Sequence, residues 1–449
     1  MMRLQGLVSS QGLFARALRG SMLTAGSFGF SLVVRLGSNL ILTRLLYPEA
    51  FGQMALMNVV LVGLAMFSDV GVGQAIAQNP RGDEPAFLDT AFSINVVRGA
   101  ILWAMTCLLA WPLSVLYGAP DLALLLPVAG LTLLASGFNP TRIDTAQRHL
   151  MLGRVTLLDL CAQCSGIVIM VVLALIWPSV WSLVVGIVLG AFIKPVIMAR
   201  FLPGRRNALR WEPEAGRALI HFGKWIFLST ACGFVLSQGD KAILGAYLSL
   251  EAFGVYNIGY FLASFPMLLG GAVVGRIMIP IYRDRHLSPT NALRLRRLRF
   301  GLTAGVLGLL TVMAVLGPQI VALMYDARYA GAGAILVAVA LAQMPLAVGM
   351  TYDQAALAAG QSRVFFAVIA LRAVVQTLAF GIGVEMGGLA GALIGLTVAG
   401  VVLHGGFVFL ARRFAVWDPV HDLVFATLVA GVFVTVGSYH ADTLAMLGR

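Results

Sequence analysis

The stretch Ile41-Leu-Thr-Arg-Leu-Leu-Tyr-Pro-Glu-Ala-Phe-Gly52 recurs, 202 positions later, as Ile243-Leu-Gly-Ala-Tyr-Leu-Ser-Leu-Glu-Ala-Phe-Gly254. Seven of the twelve residues (Ile, Leu, Leu, Glu, Ala, Phe and Gly) match without a gap. In both copies the stretch joins one long apolar run to the next. A repeated supersecondary unit is the signature of a duplicated architecture, so the sequence predicts two copies of one module.

The composition places this module in a membrane. The 449 residues are 59% hydrophobic and 11% charged, and the mean hydropathy is +0.91. Because soluble domains carry about 25% charged residues, lipid must cover part of this apolar surface. The formal net charge is +12, but the basic residues lie between apolar runs, where they suit anionic lipid headgroups. We therefore expect membrane lipids, and no nucleic acid, as partners.

Apolar runs that could span a bilayer follow one another along the chain. A spanning helix needs about 20 mostly apolar residues. About twelve runs reach this length: 20–44, 52–77, 87–112, 121–140, 155–177, 179–201, 218–247, 253–281, 299–324, 332–356, 363–384 and 387–411. A further run, 420–439, is either a thirteenth span or an interfacial helix, so a count of 13–14 stays open. The fold class is thus an all-α polytopic membrane protein.

The arginines orient these spans. When alternate loops are assigned to opposite sides, 21 arginines fall on one side and two, Arg44 and Arg328, on the other. The positive-inside rule then places the N-terminus and the end of the twelfth helix in the cytoplasm. Both repeat copies lie on the outer side with about six spans between them, which predicts two parallel six-helix lobes.

The domain organisation follows from this topology. Residues 1–17 form a cytoplasmic N-terminal segment, 18–200 the N-lobe with helices 1–6, 201–217 a cytoplasmic interlobe linker, 218–413 the C-lobe with helices 7–12, and 414–449 a C-terminal segment with a candidate extra helix. The linker is polar and rich in arginine, and an amphipathic helix on the inner leaflet is one structure it could adopt.

Several basic residues lie at bilayer depth, where a charge costs at least about 2.5 kcal/mol and is functional by default. Arg35, Arg98 and Arg372 lie mid-span, so each should face a watery cavity or a partner carboxylate. Arg276 and Lys224 lie nearer the cytoplasmic ends, where snorkelling is the alternative to substrate binding. Because deep positive groups outnumber negative ones, and arginine grips phosphate through two parallel hydrogen bonds, this lining favours an anionic substrate.

Acidic residues accompany them. Asp69 and Asp353 lie toward the inner parts of spans two and ten, and Asp240 and Lys241 in the outer part of span seven. These four residues are candidates for proton or sodium coupling or for structural ion pairs. Asp69 is a candidate partner for either Arg35 or Arg98.

Motifs for catalysis are missing from the sequence. There is no G-x-x-x-x-G-K-[ST] phosphate loop, no H-E-x-x-H and no paired Cys/His metal spacing. Cys161 and Cys164 form a C-x-x-C inside an apolar run, which favours helix packing over redox chemistry. We therefore predict no catalytic residue, no metal and no cofactor, and a protein that is not an enzyme.

Four segments resemble a known family. They read Arg35-Leu-Gly-Ser-Asn39, Phe67-Ser-Asp-Val-Gly-Val-Gly-Gln-Ala-Ile-Ala-Gln78, Asn95-Val-Val-Arg-Gly99 and Gly239-Asp-Lys-Ala-Ile-Leu-Gly245. In these segments the chain resembles the polysaccharide (O-antigen and exopolysaccharide) flippases of the multidrug/oligosaccharidyl-lipid/polysaccharide exporter superfamily.

The resemblance implies two lobes around a central cavity in a bacterial inner membrane. It implies that a polyprenyl-pyrophosphate-linked oligosaccharide is carried to the outer leaflet by alternating access, with a polysaccharide polymerase and glycosyltransferases as candidate partners. Arg35, Arg98 and Arg372 would then hold the pyrophosphate or acidic sugars, and Asn39, one helical turn from Arg35, would bind sugar hydroxyls. The position 202 residues after Arg35 is Ser237, so we expect an asymmetric site with the larger share in the first lobe.

Three other functions remain open. A multidrug or cation antiporter of the same fold predicts essential intramembrane carboxylates and tolerance of Arg35→Ala. A flippase for the peptidoglycan precursor is usually built with two further spans. A membrane glycan polymerase predicts lost chain elongation, but it would be expected to carry a sizeable outer loop with catalytic groups, and none is found here.

Overall fold

The computed structural model describes residues 13–69, 71–149, 151–284 and 289–448, and every regular element in these ranges is helical. The chain divides into two compact units, Met1–Phe234 and Val235–Arg449. The division falls inside one long helix, Pro213–Tyr247, and not in the predicted interlobe linker 201–217.

The helices of the first unit follow the predicted runs. They are α1 (Leu13–Leu45), α2 (Pro48–Phe67), α3 (Val72–Gln78), α4 (Pro85–Leu116), α5 (Leu122–Ala129), α6 (Leu131–Gly137), α7 (Arg142–Arg148), α8 (Leu152–Ile176), α9 (Val180–Phe201) and the first part of α10 (Pro213–Tyr247). Helix α8 packs against both α1 and α9, and α4 packs against α5 and α6.

The second unit is built around one buried helix. Its elements are the end of α10, then α11 (Leu250–Asp284), α12 (Pro289–Val315), α13 (Gly317–Met324), a 3-10 turn (Ala327–Tyr329), α14 (Ala332–Gly349), α15 (Gln354–Ala358), α16 (Ser362–Arg413), α17 (Pro419–Tyr439), α18 (Ala441–Ala445) and a last 3-10 turn (Met446–Gly448). Nearly all of α14 is buried, because α11, α12, α16 and α17 pack around it.

The predicted fold class is confirmed. Each of the thirteen apolar runs contains helix, and nine helical segments in the described ranges are long and apolar enough to cross a membrane. A tenth candidate consists of Leu122–Gly137 with α7, which bends away from it by 54°. The run 420–439 forms the continuous helix α17, whose length and composition favour a span over an interfacial helix.

The repeated stretch forms the same helical hairpin in both units. The first copy covers the end of α1 and the start of α2, and the second covers the end of α10 and the start of α11. The matching residues Leu42 and Leu244 are both buried. The matching residues Glu49 and Glu251 lie in the first turn of a helix, where the helix dipole favours a negative charge. The conserved part of the repeat therefore serves turn formation and packing.

A glycine pair bends α16 between the last two predicted runs. Gly387 and Gly388 leave the helical conformation, and Gly388 adopts a φ of 55°. On either side of this bend, Gly383 and Gly391 bring their backbones so close that a Cβ on one would collide with the carbonyl of the other. The two halves of α16 therefore pack directly against each other as separate helices.

The linker between α9 and α10 is extended, so the amphipathic helix considered for it is wrong. Residues 203–212, which we call the strap, lie along the first turns of α4. The amide of Ala208 donates to Asp89 Oδ1 (3.0 Å), the amide of Arg210 to Ser93 Oγ (3.0 Å) and the amide of Glu212 to Thr90 Oγ1 (3.0 Å). Because these side chains satisfy the strap's backbone, a helix is not needed to do so.

An ion pair fixes the end of the strap. Arg81 Nη2 donates to Glu212 Oε1 at 2.8 Å, and Arg81 Nε donates to Glu84 Oε2 at 2.7 Å. The hydrogen bonds to Glu212 and then to Glu84 raise the pKa of Arg81 above its ordinary value. The strap is thus a fixed part of the first unit.

Candidate functional site

The second apolar run of the first unit is a broken helix. Helix α2 ends at Phe67 and α3 begins at Val72, and Gly71 takes a left-handed conformation with a φ of 62°. Asp69 lies in this break, where its Oδ1 accepts a hydrogen bond from the amide of Gly71 at 2.9 Å. Breaks at membrane depth expose polar backbone and are tolerated where they line a cavity or are buried in protein.

Arg98, on α4, reaches the end of α2 at this break. Its Nε donates to Ser68 Oγ at 2.9 Å and its Nη2 donates to the carbonyl of Ala65 at 2.7 Å. The last four carbonyls of a helix lack partners inside the helix, and a cation there is favoured by the helix dipole. Arg98 therefore stabilises the broken helix, and its half-buried side chain also faces the adjoining cavity.

A cavity of about 290 Å³ adjoins the break. Its lining is unusually polar, and the polar side chains are Asp69, Asn95, Arg98, Ser136, Asn139, Asp144 and Lys194. Asp69 interacts electrostatically with Arg98, so of its two candidate partners, Arg35 and Arg98, the structure brings Arg98 to it. Lys194 forms an ion pair with Asp159 of α8, with Nζ 2.8 Å from Oδ1.

In the second unit, Asp240 and Lys241 lie among tyrosines. The Asp240 side chain is buried, and its Oδ2 accepts a hydrogen bond from the Tyr256 hydroxyl at 2.7 Å. The Nζ of Lys241 lies 5.0 Å from the centre of the Tyr260 ring, within range of a cation–π interaction. The Tyr256 and Tyr260 rings are themselves 5.6 Å apart. The predicted pair of residues 240 and 241 thus joins one aromatic cluster on α11.

Arg372 and Asp353 extend this cluster. Arg372, on α16, interacts electrostatically with Asp353, in the turn between α14 and α15, and with Tyr260. Within the described residues, Arg372 Nε and Asp353 Oδ1 are buried without a hydrogen-bond partner. Buried polar atoms are rarely left unsatisfied, so these two atoms are candidates for contact with an ion, water or substrate.

The other predicted residues are not brought into either cluster. Arg35 is exposed on α1, and Asn39 is half-buried with its Oδ1 unsatisfied among the described residues. Neither lines the cavity of the first unit. Lys224 and Arg276 belong to helices, but their side chains lie outside the part that the structure describes.

Sequence reasoning missed the neutral members of both clusters. Asn95 and Asn139 line the first cavity, and Tyr256 and Tyr260 surround the charges of the second unit. A search for intramembrane charges overlooks these residues because they are neutral. Neutral polar residues are also common in apolar helices, so their presence alone does not mark a site. The spacing of four between Tyr256 and Tyr260, which puts both on one helix face, was the available signal.

A separate buried network holds α17. Asp422 accepts hydrogen bonds from the Tyr352 hydroxyl (2.7 Å) and Trp417 Nε1 (2.9 Å), and its Oδ1 lies 2.9 Å from His421 Nδ1. His421 Nε2 lies 3.0 Å from Thr303 Oγ1 on α12. These groups satisfy one another, so the network reads as a structural anchor and not as a binding site.

Comparison with known proteins gives the family. Residues 41–333 match the family described as "Polysaccharide biosynthesis protein". The chain belongs to this family. The match begins at the first residue of the repeated stretch and covers the break at Asp69, Arg98 and the tyrosine cluster.

Curated proteins of bacteria are similar to this chain over much of its length. A succinoglycan biosynthesis transport protein of Rhizobium meliloti is 24% identical over 396 residues, covering 86% of this chain and 78% of that protein. A lipopolysaccharide biosynthesis protein of Escherichia coli is 22% identical over 284 residues, covering 63% of this chain and 56% of that protein. The prediction of a transport protein, and not an enzyme, is confirmed by these findings.

Solved structures share the fold. A lipid II flippase in an inward closed conformation matches with a TM-score of 0.69 at 12% identity, over 94% of this chain and 93% of that one. An inward-facing multidrug resistance transporter of the MATE family matches with a TM-score of 0.64 at 16% identity, over 86% of this chain and 94% of that one. At these identities the likeness establishes the transporter fold alone.

Proposed function

We propose that this chain is a flippase that moves a polyprenyl-pyrophosphate-linked oligosaccharide across the bacterial inner membrane for surface polysaccharide biosynthesis. Membership of the polysaccharide biosynthesis family carries the proposal, since its relatives include a transport protein for succinoglycan. The fold shared with a lipid II flippase is suited to a cargo with a polar head and a lipid tail. Alternating access is the proposed mode of transport, with the N-terminus in the cytoplasm.

Arginines at membrane depth are the proposed ligands of the cargo. A pyrophosphate carries several negative oxygens, and a guanidinium binds two of them in parallel. Arg98 faces a polar cavity, and Arg372 Nε is buried without a partner among the described residues, so both have donors suited to such a group. Arg35, Asn39, Arg276 and Lys224 complete the proposed substrate-binding set.

Carboxylates in the same clusters are the proposed coupling groups. Asp240 and Asp353 each have a buried oxygen without a hydrogen-bond partner in the described part of the chain, and Asp69 lies beside Arg98. In such a cluster the carboxylate and the cargo's pyrophosphate compete for the arginine, and a proton or sodium ion that neutralises the carboxylate frees the arginine for the cargo. Lys241 belongs to this proposed set through Tyr260.

The proposed partners follow from the cargo. Glycosyltransferases make the lipid-linked oligosaccharide on one leaflet, and a polysaccharide polymerase uses it on the other. A complex with either enzyme would shorten the path of a scarce lipid. Cross-linking of the chain to the polymerase in intact cells tests for such a complex.

The test of transport uses the purified chain in liposomes. A fluorescent polyprenyl-pyrophosphate oligosaccharide is placed in both leaflets, and a membrane-impermeant quencher reports the fraction that reaches the outside. We expect the chain to raise this fraction from half to nearly all within minutes. Quenching that stops at half, in vesicles where the folded chain is present, would refute the proposal.

A multidrug antiporter of the same fold is the second candidate, favoured by the likeness to MATE transporters. It predicts uptake of a cationic dye into the same liposomes under a proton or sodium gradient. It also predicts that the carboxylates are essential and that Arg35→Ala leaves transport unchanged. The two liposome assays therefore separate the candidates.

A further inference from the structure

The strap turns apolar and basic side chains outward while its backbone is held from the other side. Its amides bond to α4, as described above, so the backbone cannot rotate to bury different side chains. The Leu209 side chain is 69% exposed and that of Trp211 is 58% exposed. Arg206 and Arg210 are exposed as well. We call these four exposed side chains, two apolar and two basic, the outer face of the strap.

The acidic groups next to the strap's backbone pair with arginines of the same unit. Glu212 is drawn to Arg81, and Asp89, which is 2% exposed, lies 3.3 Å from Arg205 Nη2. The two acids next to the strap's backbone are therefore neutralised within the unit. Within the described residues Arg206 and Arg210 form no ion pair, whereas the exposed Glu214 lies 3.8 Å from Arg81, so the exposed part of the strap carries a net positive charge.

Trp211 is fixed as well as exposed. A Cβ added to Gly216, in the first turn of α10, would lie 2.8 Å from Trp211 Cζ2, so the indole ring rests on the helix at this glycine. A tryptophan that is seated on one edge and open on the other is typical of the boundary between lipid and water. The ring is thus held in place for contact with a membrane surface.

A cavity lies beside the basic face. It measures about 340 Å³, and its lining includes Arg142, Arg205 and Arg206, the carboxylates of Asp83 and Asp89, and the apolar side chains of Leu88 and Met151. Asp83 is paired with Arg148 and Asp89 with Arg205, so both carboxylates have a cationic partner within the unit. Arg142 is committed to the carbonyls of Leu202 and Ala199, so Arg206 is the arginine left to meet a ligand there. The volume and mixed lining suit a phosphate-bearing headgroup with the start of its glycerol chains.

We propose that the outer face of the strap binds anionic phospholipid. Arg206 and Arg210 would pair with headgroup phosphates while Leu209 and Trp211 enter the interfacial region. Each basic residue near an anionic surface contributes about 1 kcal/mol, which is about fivefold in affinity. The bound lipid would hold the first unit at one fixed depth, whatever cargo the chain carries.

The experiment is a lipid competition on the full-length chain in mild detergent. The protein is mixed with equal amounts of phosphatidylglycerol and phosphatidylcholine, and native mass spectrometry counts each lipid bound. We expect a preference for phosphatidylglycerol that falls about 25-fold in R206Q/R210Q, since each arginine contributes about fivefold. The matched control R297Q/R413Q removes two exposed arginines from the second unit and should change the preference less than twofold.

Two further measurements test lipid binding even if R206Q/R210Q folds poorly. The conservative variant R206K/R210K should retain the preference, and raising salt from 0.05 to 0.5 M should weaken it in the wild type, since exposed charges are screened. An unchanged ratio in R206Q/R210Q, or an equal fall in R297Q/R413Q, would overturn the proposal. Lost cargo flipping in R206Q/R210Q with an unchanged lipid ratio would assign the strap to the cargo's pyrophosphate instead.

Discussion

The two units hold their buried charges in different ways. In the first unit, Arg98 is half-buried beside an open polar cavity and donates to neutral oxygens at the end of a broken helix. In the second, Arg372 and Asp353 are half-buried residues that interact with each other and with Tyr260, and each keeps a buried atom without a hydrogen bond among the described residues. The polar atoms of the first arrangement are hydrogen-bonded, whereas those of the second are partly unsatisfied.

This difference shows what a duplication preserves. The repeated hairpins keep Leu42 and Leu244 buried and place Glu49 and Glu251 in the first turn of the next helix. These features depend on backbone geometry, which both copies need. The charged residues depend on what each unit must bind or couple to, so they diverged while the scaffold did not. Each unit therefore has its own polar cluster, and variants in the two clusters should behave differently.

Arg372→Ala should give the largest effect. It leaves half-buried Asp353 without its cationic neighbour, and a polar group left without a partner costs about 1–3 kcal/mol. We expect a clear loss of thermal stability in detergent and about a hundredfold loss of flipping in liposomes. The double variant R372A/D353A should recover most of the stability but none of the transport. Wild-type stability in R372A would show that the two charges are not coupled.

Asp422→Ala should lower stability almost as much and spare transport. It removes the acceptor shared by Tyr352, Trp417 and His421, and unsatisfied buried donors cost about 1–3 kcal/mol. Thermal unfolding in detergent measures the loss, and flipping per folded molecule should stay within about threefold of wild type. Asp442→Ala, at an exposed position on α18, is the control and should change stability by less than about 0.5 kcal/mol. Lost flipping in folded D422A protein would move this network into the transport machinery.

Arg98→Ala should lower transport more than stability, which is the reverse of the effect expected for Asp422→Ala. The Ser68 hydroxyl that it leaves behind already donates to the Ala65 carbonyl at 3.1 Å, so we expect a loss of only about 1 kcal/mol in stability. Flipping should fall about tenfold, because the cavity loses the arginine proposed to bind pyrophosphate. Arg98→Lys keeps the charge but not the paired donors, and an intermediate rate is expected. A transport loss in R98A that parallels its unfolding would reduce Arg98 to a structural role.

The sequence was enough to predict the scaffold because each helical element has its own local sequence pattern. Apolar runs of spanning length marked all thirteen helical regions, and Gly387-Gly388 marked the bend in α16. The site was only partly predictable, since a deep charge says that a partner is needed but not which one. Asp144 and Lys194 line the first cavity because of how α7 and α9 are placed in the fold, including the bend before α7. No local sequence pattern predicts that placement. The strap likewise took its conformation from Asp89 and Thr90, more than a hundred residues away.

Arg35→Ala should give the smallest effect and the sharpest choice between functions. The side chain is exposed and does not line the cavity of the first unit, so stability should change by less than about 0.5 kcal/mol. A flippase that uses Arg35 as one of several cationic ligands should lose about threefold in flipping, because the remaining arginines still attract the pyrophosphate. An antiporter for cations gains nothing from this charge, so dye transport should be unchanged or faster. Measuring both rates on the same R35A liposomes decides between them, with Arg44→Ala, at the far end of the same helix, as the control.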